Sequence, residues 1–225
     1  MDIHFIDWGL IEYEEGWRRQ THLLDERVQA KLAATDGMQS FPDLAVFCEH
    51  PPVYTLGKSG VMENLLVNNN QLKERGATFF RTDRGGDITF HGPGQLVVYP
   101  IFDLEHSHLG LKEYIHRLEE VVIRFLDTYG VKAGRLEKAT GVWLEPDSPY
   151  RARKICAIGV KCSRFITMHG LALNINTDLS FFHAINPCGF TDKGVTSLSN
   201  ECGRPIEFEA CKHRLFSVMK EVFTE

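Results

Sequence analysis

Residues 84–100 read RGGDITFHGPGQLVVYP and form the most informative stretch of the chain. Arg84, a glycine pair and His91 stand just before the loop Gly92-Pro93-Gly94. An apolar run from Gln95 to Ile101 follows at once and predicts a buried strand. Glycine lets the backbone take unusual angles and lets another molecule lie directly against it. We therefore expect a site that grips a polar, chain-like ligand. The alternative is a glycine-rich hairpin with a solvated arginine and histidine, although one hairpin turn needs only one or two glycines.

Hydrophobic periodicity on both sides of this stretch predicts three helices and a larger number of strands. Apolar residues recur at helical spacing over residues 11–33, 111–126 and 208–222. Short apolar segments predict strands at residues 3–8, 44–48, 53–56, 78–82, 87–90, 95–101, 141–144, 154–160 and 171–175. Several strands follow one another without an intervening helix, which is typical of an α+β fold. We expect a mixed β-sheet packed with helices on one side.

Length and composition indicate one globular domain over residues 1–225. The chain has no internal repeat and no long linker, and 24% of its residues are charged. A net charge of -5 argues against a general nucleic-acid binder, so we expect no nucleic-acid partner. No apolar run is long enough to cross a membrane, and residues 1–8 do not read as a secretory signal. We therefore expect a cytoplasmic location and no membrane partner.

Cysteine and histidine spacing predicts neither a metal site nor a cofactor. The chain has 6 cysteines, none in a C-x-x-C pair, and its 10 histidines form no cluster at ligand spacing. In the cytoplasm these cysteines are expected to be reduced thiols.

Two cysteines are candidate nucleophiles. Cys188 lies between a proline and a glycine, which is typical of a tight loop that presents a reactive side chain. Strand alternation places Lys154, Cys156 and Ile158 on one face, so Cys156 is the nearer thiol in sequence to a candidate base. A cysteine in the middle of an apolar strand is usually a small buried hydrophobe, which favours Cys188. Lys154 itself is either a lysine whose amine enters an apolar pocket or a lysine that extends along a strand edge to water.

The sequence His169-Gly170-Leu171-Ala172 opens another predicted strand. Gly170 could let backbone N–H groups face a ligand, where such donors stabilise a developing oxyanion. We expect His169 to be part of the site. The alternative is a histidine that is satisfied at a strand end.

Five motifs, in this order along the chain, resemble those of the lipoyl(octanoyl) transferase family. They are EHPPVYTLGK at 49–58, RGGDITFHGPGQLVVYP at 84–100, RKICAIGVK at 153–161, HGLALNIN at 169–176 and NPCGF at 186–190. The resemblance spans most of the chain. It implies the fold of lipoate and biotin protein ligase catalytic domains, a mixed sheet with helices against it.

The resemblance also implies an activity. The family transfers an octanoyl group from octanoyl-acyl carrier protein to a lysine of a lipoyl domain, without a cofactor. The expected acceptors are the lipoyl domains of 2-oxoacid dehydrogenase complexes and the glycine cleavage H protein. By the family's motif, Cys188 takes the acyl group and Lys154 lowers the pKa of its thiol. The substrate-contacting segments correspond to Arg84, Gly85, Gly86, Asp87, Ile88, Thr89, Phe90 and His91, to Ala157, Ile158 and Gly159, and to Gly170, Leu171 and Ala172.

The alternative function is an ATP-dependent lipoate or biotin protein ligase, which shares the fold and the Lys154 segment. Such a ligase activates a free acid as an adenylate and needs no nucleophilic thiol, so the Pro-Cys-Gly setting of Cys188 argues against it.

A basic group of residues is the candidate docking face for the macromolecular partners, which the resemblance implies are acidic. Its members are Arg151, Arg153, Lys161 and Arg164. The alternative is a solvated strand edge.

Overall fold

The computed structural model describes residues 1–33, 41–148, 150–186 and 193–225. The strands in these ranges are β1 (Ile3–Leu10), β2 (Asp43–Glu49), β3 (Val53–Leu56), β4 (Thr78–Arg81), β5 (Ile88–His91), β6 (Gln95–Ile101), β7 (Gly134–Leu136), β8 (Ala139–Leu144), β9 (Arg153–Ser163), β10 (Ile166–Asn174) and β11 (Gly194–Val195). The helices are α1 (Tyr13–Ala33), α2 (Asn69–Glu74), α3 (Leu111–Asp127), α4 (Leu198–Cys202) and α5 (Phe208–Thr224). Short 3₁₀ segments cover Met62–Asn64 and Leu179–Ala184.

These strands form two sheets. The main sheet has the order β1-β2-β6-β10-β9-β8-β7, with β11 paired to β9, and the second sheet has the order β4-β3-β5. Both contain parallel and antiparallel pairs: β1 runs parallel to β2, and β10 runs antiparallel to both β6 and β9. The prediction of an α+β fold with a mixed sheet and packed helices is therefore confirmed.

The helices cover both faces of the main sheet, so the prediction of helices on one side is wrong. Strand β6 shows why, because all of its residues are buried. Its residues Leu96 and Val98 pack with α3 and α5, whereas Ile101 packs with Leu24 of α1 on the opposite face. A strand that is apolar on both faces must be covered on both.

The second sheet separates the two strands on either side of the Arg84 turn. Strands β4 and β5 flank that turn in sequence but do not pair with each other. Each pairs with β3, which lies between them, β4 in parallel and β5 antiparallel. The turn from Asp83 to Asp87 therefore crosses the end of β3 and is directed toward the main sheet.

No helix among the described residues combines the length and the apolar character that crossing a bilayer requires.

Candidate active site

A cavity of about 300 Å³ is lined by residues of the main sheet, the second sheet and α1, a volume within the range of small-molecule sites. Many residues that the sequence predicted for the site line this cavity: Lys154, Arg84, Gly86, Asp87, Ile88, Thr89, His91, Ala157, Ile158, Gly159, His169, Gly170, Leu171 and Ala172. Gly85 and Phe90 are not among the described residues that line it. Cys188 lies outside the described residues. The roles of all these residues stay predictions.

Small side chains form the floor of the cavity. Ala172 of β10 pairs with Ala157 of β9 on one side and with Val97 of β6 on the other. All three residues line the cavity, so they form one row across three strands, about 10 Å wide at the usual strand spacing. Two alanines in this row leave depth above the sheet for an apolar group.

Glycine is required where the Arg84 turn lies against the main sheet. The Gly85 amide donates to the Val160 carbonyl at 2.9 Å. A Cβ on Gly159 would stand 2.6 Å from the Gly85 carbonyl oxygen, closer than any real Cβ contact. A second close approach lies within the main sheet, where a Cβ on Gly170 would stand 2.2 Å from the Val98 carbonyl oxygen of β6. Neither position can accept a side chain without a shift of the backbone.

Arg84 is buried, and its side chain stabilises the turn in which Arg84 itself lies. Its Nη2 donates to the carbonyl oxygens of Thr55 at 2.7 Å and of Asp87 at 2.8 Å, and its Nη1 donates to the carbonyl oxygen of Gly85 at 3.0 Å. These bonds join β3 to both ends of the glycine pair. The guanidinium therefore shapes the cavity wall as well as lining it.

His91 is buried in the second sheet and faces the cavity. Burial, together with smaller effects of the nearby His50 and Arg84, lowers the pKa of its imidazole to about 3. The ring stacks on Tyr13 of α1 with centroids 6.0 Å apart. The imidazole is therefore neutral at physiological pH.

Lys154 lines the cavity together with Trp143. Its Nζ lies 4.7 Å from the centre of the Trp143 ring, and the indole Nε1 donates to the Ala139 carbonyl at 3.0 Å. A cation over an indole face is stabilised by the ring quadrupole. The Thr196 amide donates to the Lys154 carbonyl at 3.0 Å, which fixes the backbone on the side of β11.

Lys154 and Cys156 do not share a face, contrary to the prediction from strand alternation. Val142 and Trp143 are consecutive in β8, yet they pair with Cys156 and Lys154, so β9 carries an extra residue there. Such a bulge reverses the alternation. Lys154 lines the cavity, whereas Cys156 packs in the core with Ile155.

The other cysteines of the described chain are also absent from the cavity lining. Burial raises the pKa of the thiol in Cys48, Cys156, Cys162 and Cys211. Of the five cysteines in the described ranges, none lines the cavity. A buried thiol with a raised pKa is a poor nucleophile.

His169 lies far from Lys154 although both line the cavity. It pairs with Val160, six residues along β9 from Lys154, which separates the two backbones by about 20 Å. Its Nε2 lies 2.8 Å from Asp83 Oδ1, and Lys161 Nζ lies 2.6 Å from the other oxygen of Asp83. Donation from His169 and Lys161 holds the pKa of the Asp83 carboxyl well below its usual range.

The predicted basic docking face is largely neutralised. Arg151 lies 2.9 Å from Glu145. Arg153 forms two bonds to Glu201, at 2.8 and 2.7 Å, and one to Glu145 at 2.6 Å. Lys161 is the partner of Asp83 already described. Three of the four cations are therefore offset by neighbouring carboxylates, which the local sequence did not indicate.

Several lining residues were not predicted from sequence: Tyr13, Gln95, Val97, Tyr99, Lys138, Ala139, Thr140, Trp143, Asn174, Phe182, Lys193, Gly194 and Val195. A signal was present for two of them. Gln95 and Asn174 are amides within otherwise apolar strands, and a buried amide needs partners. No such signal marks Tyr13, which comes from α1. The described residues contain no cluster of three or more histidines, cysteines or carboxylates that could hold a metal ion.

Comparison with known proteins gives a consistent set of relatives. A family profile described as the lipoyl protein ligase A/B catalytic domain matches residues 12–220. The chain is 59% identical over 210 residues to a protein of Bacteroides thetaiotaomicron named octanoyltransferase, covering 93% of this chain and 90% of that protein. It is 57% identical over 218 residues to a Parabacteroides distasonis protein of the same name, covering 96% of each.

Solved structures show the same fold at low sequence identity. A lipoate-protein ligase A bound with ATP superposes with a TM-score of 0.70 at 16% identity, covering 100% of this chain and 86% of that one. The biotin protein ligase of Aquifex aeolicus gives a TM-score of 0.51 at 10% identity, with coverage of 100% and 69%. The predicted likeness to lipoate and biotin protein ligase catalytic domains is confirmed.

Proposed function

The chain belongs to the lipoyl protein ligase A/B catalytic domain family and is an acyltransferase, and from that premise we propose that it transfers an octanoyl group to a lysine of lipoyl-domain proteins. The proposed donor is octanoyl-acyl carrier protein. The proposed acceptors are the lipoyl domains of 2-oxoacid dehydrogenase complexes and the glycine cleavage H protein. One catalytic domain performs both half-reactions in the cytoplasm.

The observation that carries this proposal is the cavity. Its floor of Ala157, Ala172 and Val97 suits an apolar chain, and its lining includes the amine-bearing Lys154. Each buried methylene contributes roughly 0.8 kcal/mol, so an eight-carbon chain gains enough from this floor to be held in place.

Cys188 is the proposed nucleophile. The five described cysteines give indirect support, because none of them lines the cavity. Residues on either side of the segment that contains Cys188 also support this role. Phe182 before the segment and Lys193 after it line the cavity. The chain re-enters the described structure at Lys193, and the next two residues, Gly194 and Val195, pair with Arg153 and Lys154 of β9.

The proposed reaction has two balanced steps. The Cys188 thiolate attacks the carbonyl carbon of the donor thioester, a new C–S bond forms, and the carrier leaves as a thiol. A lipoyl-domain lysine amine then attacks the acyl-enzyme, and an amide forms as the Cys188 sulfur leaves. In the first step Lys154 accepts the Cys188 thiol proton and passes it to the sulfur of the leaving carrier, and in the second it accepts the amine proton and returns it to the Cys188 sulfur. One thioester replaces another in the first step, so no nucleotide is needed.

Intact-mass spectrometry after mixing the protein with octanoyl-acyl carrier protein tests the acyl-enzyme. We expect a gain of one octanoyl group that hydroxylamine removes. Cys188→Ala should not gain it, and Cys156→Ala, which alters a core thiol, should. Label on Cys188→Ala together with its loss from Cys156→Ala would assign the reaction to the core thiol instead.

Transfer to a lipoyl domain with and without ATP separates this function from that of a ligase. With octanoyl-acyl carrier protein as the donor, the proposed transferase should modify the lipoyl domain at the same rate whether or not ATP is present. A strict requirement for ATP and free octanoate would identify a ligase.

A further inference from the structure

A chain of buried hydrogen bonds begins at the Arg84 turn. Arg84 donates to Thr55 Oγ1 from Nε at 3.3 Å and from Nη2 at 3.0 Å. Thr55 Oγ1 lies 3.3 Å from His91 Nε2, and His91 Nδ1 lies 2.8 Å from Gln95 Oε1. All four side chains are buried. The chain thus runs from the turn, through β3 and β5, to the first residue of β6.

The same chain continues into the main sheet and ends beside Lys154. Gln95 Nε2 donates to the Phe90 carbonyl at 3.0 Å and to Asn174 Oδ1 at 2.9 Å. Asn174 Nδ2 donates to the Thr196 carbonyl at 3.0 Å. The Thr196 amide in turn donates to the Lys154 carbonyl. Side chains from four strands therefore connect the Arg84 turn to the backbone of Lys154.

The two ends of this chain fix the direction of every bond in it. A guanidinium only donates, so Thr55 Oγ1 accepts from Arg84 and must give its own hydrogen to His91 Nε2. A carbonyl only accepts, so Asn174 presents its NH₂ group to Thr196 and its oxygen to Gln95. The oxygen of Gln95 then faces His91. Both ends require the same state of His91, neutral with the proton on Nδ1.

A protonated His91 would break this chain of hydrogen bonds. Its Nε2–H would point at Thr55 Oγ1, which already accepts two bonds from Arg84, and the threonine hydrogen would lose its acceptor. The other groups that face the ring add no anion to offset this: they are Tyr13, His50, Arg84 and His169. A buried polar group without a partner costs on the order of 1–3 kcal/mol.

We propose that Gln95 is a positioning residue which holds His91 as the neutral Nδ1–H tautomer and, through Asn174, ties the Arg84 turn to the strand segment that carries Lys154. His91 is then a fixed part of the cavity wall and not an acid or base of the reaction. The tautomer follows from the hydrogen bonds alone, whereas the effect on acyl transfer rests on the proposed function.

Nitrogen-15 NMR of the imidazole rings in the full-length protein tests the tautomer without any variant. We expect His91 to show a protonated Nδ1 and an unprotonated Nε2 between pH 5 and pH 8. A protonated Nε2 at pH 7, in the other neutral tautomer or as imidazolium, would overturn the proposal. A protein that transfers no octanoyl group but shows the Nδ1–H tautomer would refute the proposed function and leave the chain of bonds intact.

Two variants test individual hydrogen bonds of this chain. Gln95→Glu cannot donate to Asn174 and places a carboxylate beside His91, so the pKa of His91 should rise and a new step should appear in the pH profile of acyl transfer. Asn174→Asp cannot donate to Thr196, so transfer should fall on the order of tenfold while the His91 tautomer persists. An unchanged His91 spectrum in Gln95→Glu, or an unchanged rate in Asn174→Asp, would contradict the corresponding link.

Thr167→Val is the matched control. Thr167 is buried on the same strand as Asn174, and its hydroxyl donates to the Pro100 carbonyl at 2.8 Å and accepts from the Phe102 amide at 3.0 Å. The variant loses buried hydrogen bonds of the same kind that do not belong to the chain of hydrogen bonds from Arg84 to Lys154. It should lose stability but keep the wild-type His91 tautomer and pH profile. A shift of either in this control would make the effect a general result of destabilisation and overturn the proposal.

Discussion

The Nζ atom of Lys154 lies 4.7 Å from the centre of the Trp143 ring, so an indole face holds the only amine of β9 that lines the cavity among the described residues. This contact orients a long, flexible side chain that would otherwise sample many rotamers. The bulge that pairs Trp143 with Lys154 makes the contact possible, because it turns Lys154 away from the face of Cys156.

We expect Lys154→Met to slow alkylation of Cys188 by iodoacetamide at pH 7, because the proposed thiolate loses its cationic neighbour. Trp143→Leu should give a smaller loss, about thirtyfold or less, since a cation–π contact contributes roughly 0.5–2 kcal/mol. Alkylation is followed by mass spectrometry across pH 6–10. Lys161→Met, which removes a lysine paired with Asp83, is the control and should react as wild type. An unchanged pH profile in Lys154→Met would remove its proposed role.

Gly159→Ala should displace the Arg84 turn and reduce acyl transfer by more than tenfold, because its Cβ would overlap the Gly85 carbonyl. Activity and thermal unfolding are measured together. Gly110→Ala is the control: nothing lies within 4 Å of its Cβ position, and the expected cost is that of a weaker helix N-cap, about 1 kcal/mol or less. Equal activity in the two variants would show that the turn does not depend on the close approach.

Ala172→Leu should shorten the acyl chain that the protein accepts, because the larger side chain rises from the cavity floor. A loss of space for two methylenes corresponds to ~1.6 kcal/mol, so the ratio of octanoyl to butanoyl transfer should fall about tenfold. Steady-state rates with the two thioester donors give the ratio, which cancels any general loss of activity. Ala210→Leu, an exposed change on α5, should leave it unchanged. A constant ratio in Ala172→Leu would place the acyl chain elsewhere.

Stability should fall as the pH is lowered from about 7 toward 4, because two neutral histidines are buried in contact. Burial lowers the pKa of His50 to about 4 and that of His91 to about 3. The unfolded chain takes up protons below about pH 6.5, whereas the folded protein does not, so the stabilisation is complete above that pH and is lost as the pH falls toward the folded values. Each imidazole contributes a slope of about 1.4 kcal/mol per pH unit.

Asp43 acts in the opposite direction, since burial raises the pKa of its carboxyl to about 6 and the folded state binds the extra proton. Its contribution is present below about pH 4 and is lost as the pH rises through 6, so it offsets one histidine over that interval. Urea unfolding at pH 5, 6 and 7 measures the net slope. His50→Gln should reduce the slope, and the exposed His22→Gln should not. A flat profile in the wild-type protein would contradict the neutral state of both rings.

The bonds of His50 give the same protonation state from geometry. Its Nδ1 lies 2.7 Å from the Ile11 carbonyl, which only accepts, so Nδ1 carries the proton. The Tyr99 hydroxyl, 2.6 Å from Nε2, is then the donor. Protonation of His50 would remove the acceptor of a buried hydroxyl.

Sequence periodicity predicted β3 and β6 at their observed bounds and α3 within one residue, because each of these elements buries its own apolar pattern. Sequence reasoning also identified about half of the described residues that line the cavity. Gly159 and Gly170 were predicted as site residues, although the close backbone approach that requires glycine at both positions was not predicted. These features depend on residues that are neighbours in sequence.

The amino-acid sequence by itself determined the elements, the α+β class, the family resemblance and the candidate residues. The tertiary structure decided which of those residues meet. Strand alternation could not reveal the bulge opposite Trp143, because a bulge is set by the pairing of two strands. Likewise, local charge could not show that Arg153 is neutralised by Glu201, or that Gln95 meets Asn174, 79 residues away. Contacts between distant segments are fixed by how the sheets and helices pack, and no spacing along the chain encodes them directly.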